Sequence, residues 1–329
     1  MNAPRLQDRY HRLINYLRVS VTDRCNLRCA YCMPEHGVEP LRHDQILSYE
    51  EILRVARIAV AMGIRKIRVT GGEPLVRRGI VEFVARLAAL PSLDDLCLTT
   101  NGILLAEAAP ELKRAGLRRV NVSLDTLREE RFQEITRRTG LARVLQGLEE
   151  ARRVGLSPVK VNVVAMRGLN GDEVLDFARF AREFDYEVRF IEFMPADSEH
   201  WDEARVLTAR EILDVVRTRY PLEPVPNGNP AGPCRSFRLP GAGKIGVISP
   251  MSDHFCGTCN RLRLTAEGRL RSCLFSDRET DLRALLRASG EDEAVAQAIR
   301  EAVAHKPQGH RLDQEQRHKC GLSMSRVGG

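Results

Sequence analysis

Six short runs of β-type residues alternate with amphipathic stretches through the first two thirds of this 329-residue chain, and that alternation restricts the fold more than any other feature. The runs are Leu17 to Thr22, Lys66 to Thr70, Leu96 to Thr100, Arg118 to Leu124, Val159 to Val164 and Val188 to Phe193. Between them, Tyr49 to Met62, Val81 to Leu90, Leu104 to Ala115, Leu141 to Val154 and Asp172 to Phe184 carry apolar residues at spacings near three and four, the pattern of helices buried on one face. Gly63, Gly116 and Gly155 follow three of these stretches, where a helix stop belongs. Strands joined through helices pair in parallel, so the expected fold is α/β, a partial (β/α)6 TIM-like barrel over residues 1–220.

After Tyr220 the composition changes, with Pro221, Pro224, Pro226, Pro230 and Pro233 clustered around Gly228 and Gly232, which predicts an irregular crossing rather than a helix. Beyond it, Lys244 to Ser249, Arg261 to Thr265 and Arg269 to Leu274 read as strands, the last two joined through Ala266-Glu267-Gly268. A helix near Glu291 to Ala304 and a polar tail ending in Gly328-Gly329 complete a β-containing C-terminal unit over 221–329.

A barrel presents its chemistry at the carboxyl ends of its strands. Cys25, Gly71-Gly72-Glu73-Pro74, Thr99-Thr100-Asn101-Gly102, Ser123-Leu124-Asp125 and Met194-Pro195 all fall there. Cys25, Cys29 and Cys32 place three thiols within eight residues. Three soft thiolates leave one iron of a cuboidal cluster unclaimed by protein, whereas completion by His36 or His43 would give a closed zinc site. A second set, Cys256, Cys259 and Cys273, again numbers three, and His254, Cys234 or Cys320 would complete it as a zinc knuckle. In the turn at Gly71-Gly72 the absence of a Cβ lets backbone approach a ligand, or simply makes the strand-to-helix connection.

The run from Cys25 to Cys32, with Tyr31 beside its last thiol, resembles the CxxxCxxC signature of the radical S-adenosylmethionine (SAM) superfamily, and Gly71 to Pro74 resembles its GGEP motif. With Tyr16 to Cys25, Ile67 to Pro74, Cys256 to Leu274 and the Gly328-Gly329 end, the match narrows to the GTP 3′,8-cyclase family and covers about Arg12 to Gly329. The resemblance implies two [4Fe-4S] clusters, at Cys25, Cys29 and Cys32 and at Cys256, Cys259 and Cys273, the second carried by the C-terminal extension. It implies SAM contacts at Tyr31, Gly72, Ser123 and Met194, and GTP contacts at Arg18, Arg68, Thr99, Lys160, Arg261, Leu262 and Arg263. Gly328 and Gly329 would assist catalysis from within the active site. The implied reaction is the first step of molybdenum-cofactor synthesis: a 5′-deoxyadenosyl radical takes hydrogen from C3′ of GTP, and the carbon radical adds to C8 of the guanine. A homodimer, an external electron donor and hand-off to cyclic pyranopterin monophosphate synthase are implied as partners.

The residues agree with a triphosphate substrate. No GxxxxGK[ST] loop is present, so phosphates must be met by side-chain cations, for which Arg is the better fork. Arg261 and Arg263 share a face of their strand, and Arg189 joins them only if its own strand runs in the register assumed. Cys97, Cys234 and Cys320 match no ligand of the family and read as packing thiols.

The formal charge of +7 and pI of about 9.0 suit an anionic partner, but no aromatic residues interleave a basic stripe as single-stranded nucleic acid requires. Neither an apolar signal core nor a run long enough to span a membrane occurs, and nine cysteines without a secretory start suit a reducing compartment, so a cytoplasmic protein is expected. A peptide-modifying radical enzyme and a zinc-dependent nucleic-acid module are the competing readings; GTP binding separates the first from a cyclase, and a colourless protein would mark the second.

Overall fold

The computed structural model describes residues 5–195, 201–226, 231–288, 291–310 and Met324. The six expected strands form as β1 (Tyr16–Ser20), β2 (Lys66–Thr70), β3 (Asp95–Thr100), β4 (Arg119–Ser123), β5 (Lys160–Ala165) and β6 (Glu187–Glu192). They lie side by side in chain order, all parallel. Helices α1 (Tyr49–Ala61), α2 (Ile80–Ala88), α3 (Leu105–Arg114), α4 (Glu129–Thr136), α5 (Leu141–Arg153), α6 (Val174–Phe184) and α7 (Ala209–Arg217) make the crossovers.

The barrel is partial because β1 and β6 do not pair with each other. Strands from beyond residue 220 extend both sides of the sheet: β7 (Glu223–Val225), β8 (Cys234–Arg238) and β9 (Lys244–Ile248) on one, β10 (Arg261–Leu264), β11 (Arg269–Arg271) and β12 (Glu279–Asp281) on the other. β9 pairs in parallel with β6 and β10 in parallel with β1. The described strands thus form one twelve-stranded sheet. Pro224 sits in β7, the outermost strand on its side, where a missing N–H costs no ladder bond. Helices α8 (Leu282–Ala288) and α9 (Asp292–Ala304) follow β12.

Alternation along each strand sorts the residues. Leu17 and Val19, Ile67 and Val69, Leu96 and Leu98, Val120 and Val122, Val161 and Val163, and Val188 and Phe190 are buried in the apolar core with the helices. Each contributes roughly 1.5–3 kcal/mol by leaving water. The intervening residues are largely polar and face the interior. Helix α1 starts at a capping box, in which the Glu51 N–H donates to Ser48 Oγ at 3.1 Å and the Ser48 N–H to Glu51 Oε2 at 2.7 Å. Helix α4 was not expected, since its segment EERFQEIT buries only Phe132, Ile135 and Thr136 and shows a weak apolar period.

Glu192 closes the carboxyl end of β6 and is 1% exposed. It accepts from the backbone N–H of Ala209 at 2.8 Å, of Met251 at 2.9 Å and of Ser252 at 2.9 Å, so it joins α7 to the loop ahead of Cys256. Replacing it with Ala removes three backbone hydrogen bonds to a buried carboxylate and leaves the buried Ala209 N–H without its acceptor. Glu192→Ala should lower stability by about 3 kcal/mol or more, read as a lower guanidinium midpoint; an unchanged midpoint would show that the clamp is dispensable.

Candidate active site between two sets of three cysteines

The inner faces of the strands enclose a cavity of about 1010 Å3. All six cysteines of the two sets line it. So do Tyr31, Gly72, Ser123, Met194, Arg18, Arg68, Thr99, Lys160, Arg261 and Arg263. Leu262 does not: it is 1% exposed and belongs to the apolar core, because its neighbours on β10 point inward and the strand period turns it outward. Any contact of Leu262 with a substrate therefore runs through its backbone. Gly328, Gly329 and Cys320 lie outside the described residues.

The first set sits in the loop leaving β1. Arg28 and Ala30 donate their N–H groups to the carbonyls of Thr136 and Ile135, each at 2.9 Å, which anchors the loop to the end of α4. Arg28 Nη1 donates to the carbonyls of Cys25 at 2.7 Å and Leu27 at 2.9 Å. The Leu27 N–H points at Cys25 Sγ at 3.4 Å, and Asn101 Nδ2 at 3.7 Å. Burial raises the Cys25 thiol and raises Cys29 well above the usual range.

Gly72 passes so close to this loop that a Cβ would lie 2.3 Å from the carbonyl oxygen of Arg24. Its N–H donates to the Thr22 carbonyl at 2.6 Å. Next to it, buried Glu73 accepts from Leu75 N at 3.0 Å, Thr100 Oγ1 at 2.7 Å and Asn101 N at 2.6 Å, locking the ends of β2 and β3 together. Burial pushes the Glu73 carboxyl up to about 7. The Tyr31 hydroxyl donates to Asp125 Oδ2 at 2.6 Å, while Val164 N donates to the other oxygen at 2.8 Å. Four strand ends are thereby tied around one rim of the cavity.

The second set lies at the opposite end. Cys256 opens the short turn Cys256–Thr258 ahead of β10 and Cys259 follows it, its N–H donating to the Cys256 carbonyl at 3.1 Å. Strand β11 runs back antiparallel with Arg263 opposite Arg271, a register that carries Cys273 back opposite Arg261. The wide gap in sequence is the length of a hairpin. Burial raises the Cys259 thiol, but the charges of Arg261 and Lys306 outweigh it and bring the thiol down to about 6. His254 is exposed, with Nδ1 2.7 Å from the Pro250 carbonyl oxygen, and Cys234 lines the cavity beside Ser236 on β8. Among the described residues, no three His, Cys, Asp or Glu side chains converge as a single metal ion requires.

Between the two ends, register aligns the cations. Arg263, Arg18, Arg68, Cys97 and Arg119 are lateral neighbours across β10, β1, β2, β3 and β4. Thr99, Asn121, Lys160, Glu187 and Lys244 are neighbours from β3 to β9. Arg189 faces inward, its Nε donating to Glu187 Oε1 at 2.7 Å, so the register assumed from sequence is the one observed. Cys97 is fully buried within the first row.

Two carboxylates hold the excess charge in place. Asp95 pairs with Lys66 at 3.2 Å and with Arg119; Glu187 pairs with Lys160 at 2.9 Å and Arg189 at 2.5 Å. Despite burial, its two cations hold Glu187 down at about 2. Lys160 moves the other way: burial, and then Arg189, lower it to about 8, since one carboxylate serves two cations. Burial and the neighbouring cations also lower Arg18 to about 10 and Arg263 well below the usual range. Crowding of this kind is relieved by an anion.

Several buried polar atoms on these inner faces have no hydrogen-bond partner among the described residues: Tyr16 Oη, Arg68 Nε, Thr99 Oγ1, both amide atoms of Asn121 and Asn162 Oδ1. Such atoms are costly to bury unless a polar ligand meets them. The cavity thus fits polar, anionic contents flanked by soft-metal sites. Sequence reasoning missed Tyr16, Lys66, Asp95, Arg119, Asn121, Asn162 and Glu187, although the alternation that turned Arg18 and Arg68 inward turns these inward too.

Comparison with known proteins agrees with this geometry. The pattern of the radical SAM superfamily matches residues 19–181, and that of Molybdenum Cofactor Synthesis C matches residues 186–312. The chain is 52% identical over 326 residues to GTP 3′,8-cyclase of Geobacter sulfurreducens, covering 98% of this chain and 99% of that one. It is 50% identical over 325 residues to GTP 3′,8-cyclase of Moorella thermoacetica, covering 98% of this chain and all of the other. The crystal structure of Streptococcus suis SuiB bound to S-adenosylmethionine shares the fold with a TM-score of 0.61 at 13% identity, over 95% of this chain and 79% of that chain. An iron–sulfur cluster and SAM are the cofactors that go with the superfamily. Its two matched regions, and its near-full-length likeness to these relatives, show that the chain belongs to the GTP 3′,8-cyclase family of radical SAM enzymes.

Proposed function

We propose that the chain cyclises GTP to (8S)-3′,8-cyclo-7,8-dihydroguanosine 5′-triphosphate, the first step of molybdenum-cofactor synthesis. The observation that carries this reading is a single cavity with three thiols at each end and rows of buried cations between them. When bound, a [4Fe-4S] cluster on Cys25, Cys29 and Cys32 supplies the electron that cleaves SAM to methionine and a 5′-deoxyadenosyl radical.

The protein's own task is placement. Gly72 lets the backbone approach the amino group of SAM; Tyr31, held by Asp125, and Ser123 and Met194 complete its contacts on the same rim. Arg18, Arg68, Arg261, Arg263 and Lys160 meet the triphosphate, and Thr99 offers a hydroxyl. Cys256, Cys259 and Cys273 would hold a second [4Fe-4S] cluster, which would supply a binding point for the guanine. The ribose is then left between the two ends, where C3′ faces SAM.

In this reading residues 1–220 form the radical SAM core and 221–329 the unit carrying the second cluster. Gly328 and Gly329 would assist catalysis; they lie outside the described residues. The enzyme works as a homodimer, takes electrons from an external donor and passes its product to cyclic pyranopterin monophosphate synthase. Among the described residues no helix is long and apolar enough to cross a membrane.

The test is anaerobic reconstitution followed by addition of dithionite, SAM and GTP. About eight irons per chain, with 5′-deoxyadenosine and the cyclised nucleotide formed only when GTP is present, is the expected result. Cleavage of SAM without a GTP product would discard the substrate, and a zinc-loaded, colourless protein would discard the chemistry.

Lys160 adds a pH dependence. Its ammonium is charged below about 8 and neutral above, so GTP affinity should fall as pH rises through that value. Calorimetric titration of reconstituted Lys160→Met with GTP should show binding weakened roughly tenfold at pH 7 and no step near pH 8. A wild-type profile flat from pH 7 to 9 would contradict contact between Lys160 and the triphosphate.

A further inference from the structure

Two buried cations stand behind the C-terminal thiols. Arg12 is 7% exposed and pairs with Asp8 at 2.6 Å, while its Nη atoms donate to the carbonyls of Cys256 at 2.7 Å, Pro307 at 2.6 Å and Gln308 at 2.9 Å. Lys306 is 2% exposed. Its ammonium donates to the carbonyls of Arg261 at 2.9 Å and of Ser272, one on β10 two residues after Cys259 and the other the residue before Cys273. Burial, and after it Arg12 and Arg261, lower its ammonium below the usual range, while the sulfurs of Cys259 and Cys273 act against that shift.

A buried ammonium is costly unless it is hydrogen-bonded and matched by negative charge. Thiolates on a metal supply such charge, and groups just outside a metal's ligands orient them and set the metal's affinity and potential. We propose that Lys306 is the positioning and charge-compensating residue of the second metal site: it braces the two strands that deliver Cys259 and Cys273 and offsets the charge of their thiolates. The proposal rests on the reading that these cysteines hold an iron–sulfur cluster. Arg12 does the bracing for the Cys256 turn, but its charge is already matched by Asp8.

The test uses the full chain with Cys25, Cys29 and Cys32 changed to Ala, so that iron reports on the second site alone. This parent should hold about four irons. In competition with a chelator, Lys306→Met and Lys306→Gln should hold iron roughly 10- to 100-fold less tightly. Their midpoint potential, followed by electron paramagnetic resonance, should move to more negative values, because reduction adds charge that no cation then offsets. Lys306→Arg should stay near the parent in both. The Gln variant keeps donors for the two carbonyls, and it carries the comparison if circular dichroism shows that the Met variant has lost its fold. Parent-like affinity and potential in Lys306→Gln would overturn the proposal. A parent that binds no iron would overturn both the proposal and the second-cluster reading, and would be distinguished by that absence in every variant.

Discussion

The parallel pairing of β10 with β1 is the contact on which the site depends. Strand β1 delivers Cys25 from its carboxyl end, whereas Cys256 and Cys259 arrive just ahead of the amino end of β10. With Tyr16 opposite Arg261 and Arg18 opposite Arg263, the two sets of thiols are held at opposite ends of one strand pair. Five residues at about 3.3 Å each separate those ends by roughly 17 Å. A nucleotide and SAM can share that interval only in extended order. The same pairing also prevents β1 from meeting β6, so the barrel stays open and its interior is a cavity instead of a packed core of branched side chains.

That opening determines the electrostatics. A closed barrel fills its inner positions with Val, Ile and Leu, but here the positions carry Arg, Lys, Asn, Thr and two carboxylates. Cations outnumber carboxylates on the inner faces, and Asp95 and Glu187 each restrain two of them. The arrangement keeps Arg and Lys forks oriented in a buried space, yet leaves a charge imbalance that an anion would relieve. Orientation is therefore established by folding and need not be paid for at binding.

Much of this was legible in the sequence, because the helical and strand periods of the first two thirds are regular and strand-end motifs fall where an α/β fold uses them. Both sets of thiols, the GGEP turn and the inward Arg pairs were visible in that way. The same alternation that turns Arg261 and Arg263 inward turns the Leu262 side chain to the core. The pairing of β10 with β1 was not legible, since strands so far apart in sequence carry no local sign of their neighbour. For the same reason the place of the second set of thiols was not legible: the rule that barrel chemistry lies at carboxyl strand ends does not say that a later hairpin delivers Cys256, Cys259 and Cys273 to the amino ends. Lys306 was hidden too, its role arising only where the end of α9 meets β10 and β11.

The proposed placement of GTP between the two sets of cysteines turns its C3′ toward SAM. Mass spectrometry of 5′-deoxyadenosine formed from GTP deuterated at C3′ tests it directly. Transfer of one deuterium from C3′ into 5′-deoxyadenosine is the predicted result. Unlabelled 5′-deoxyadenosine, or label arriving only from another ribose position, would contradict the placement of the nucleotide between the two sets of cysteines.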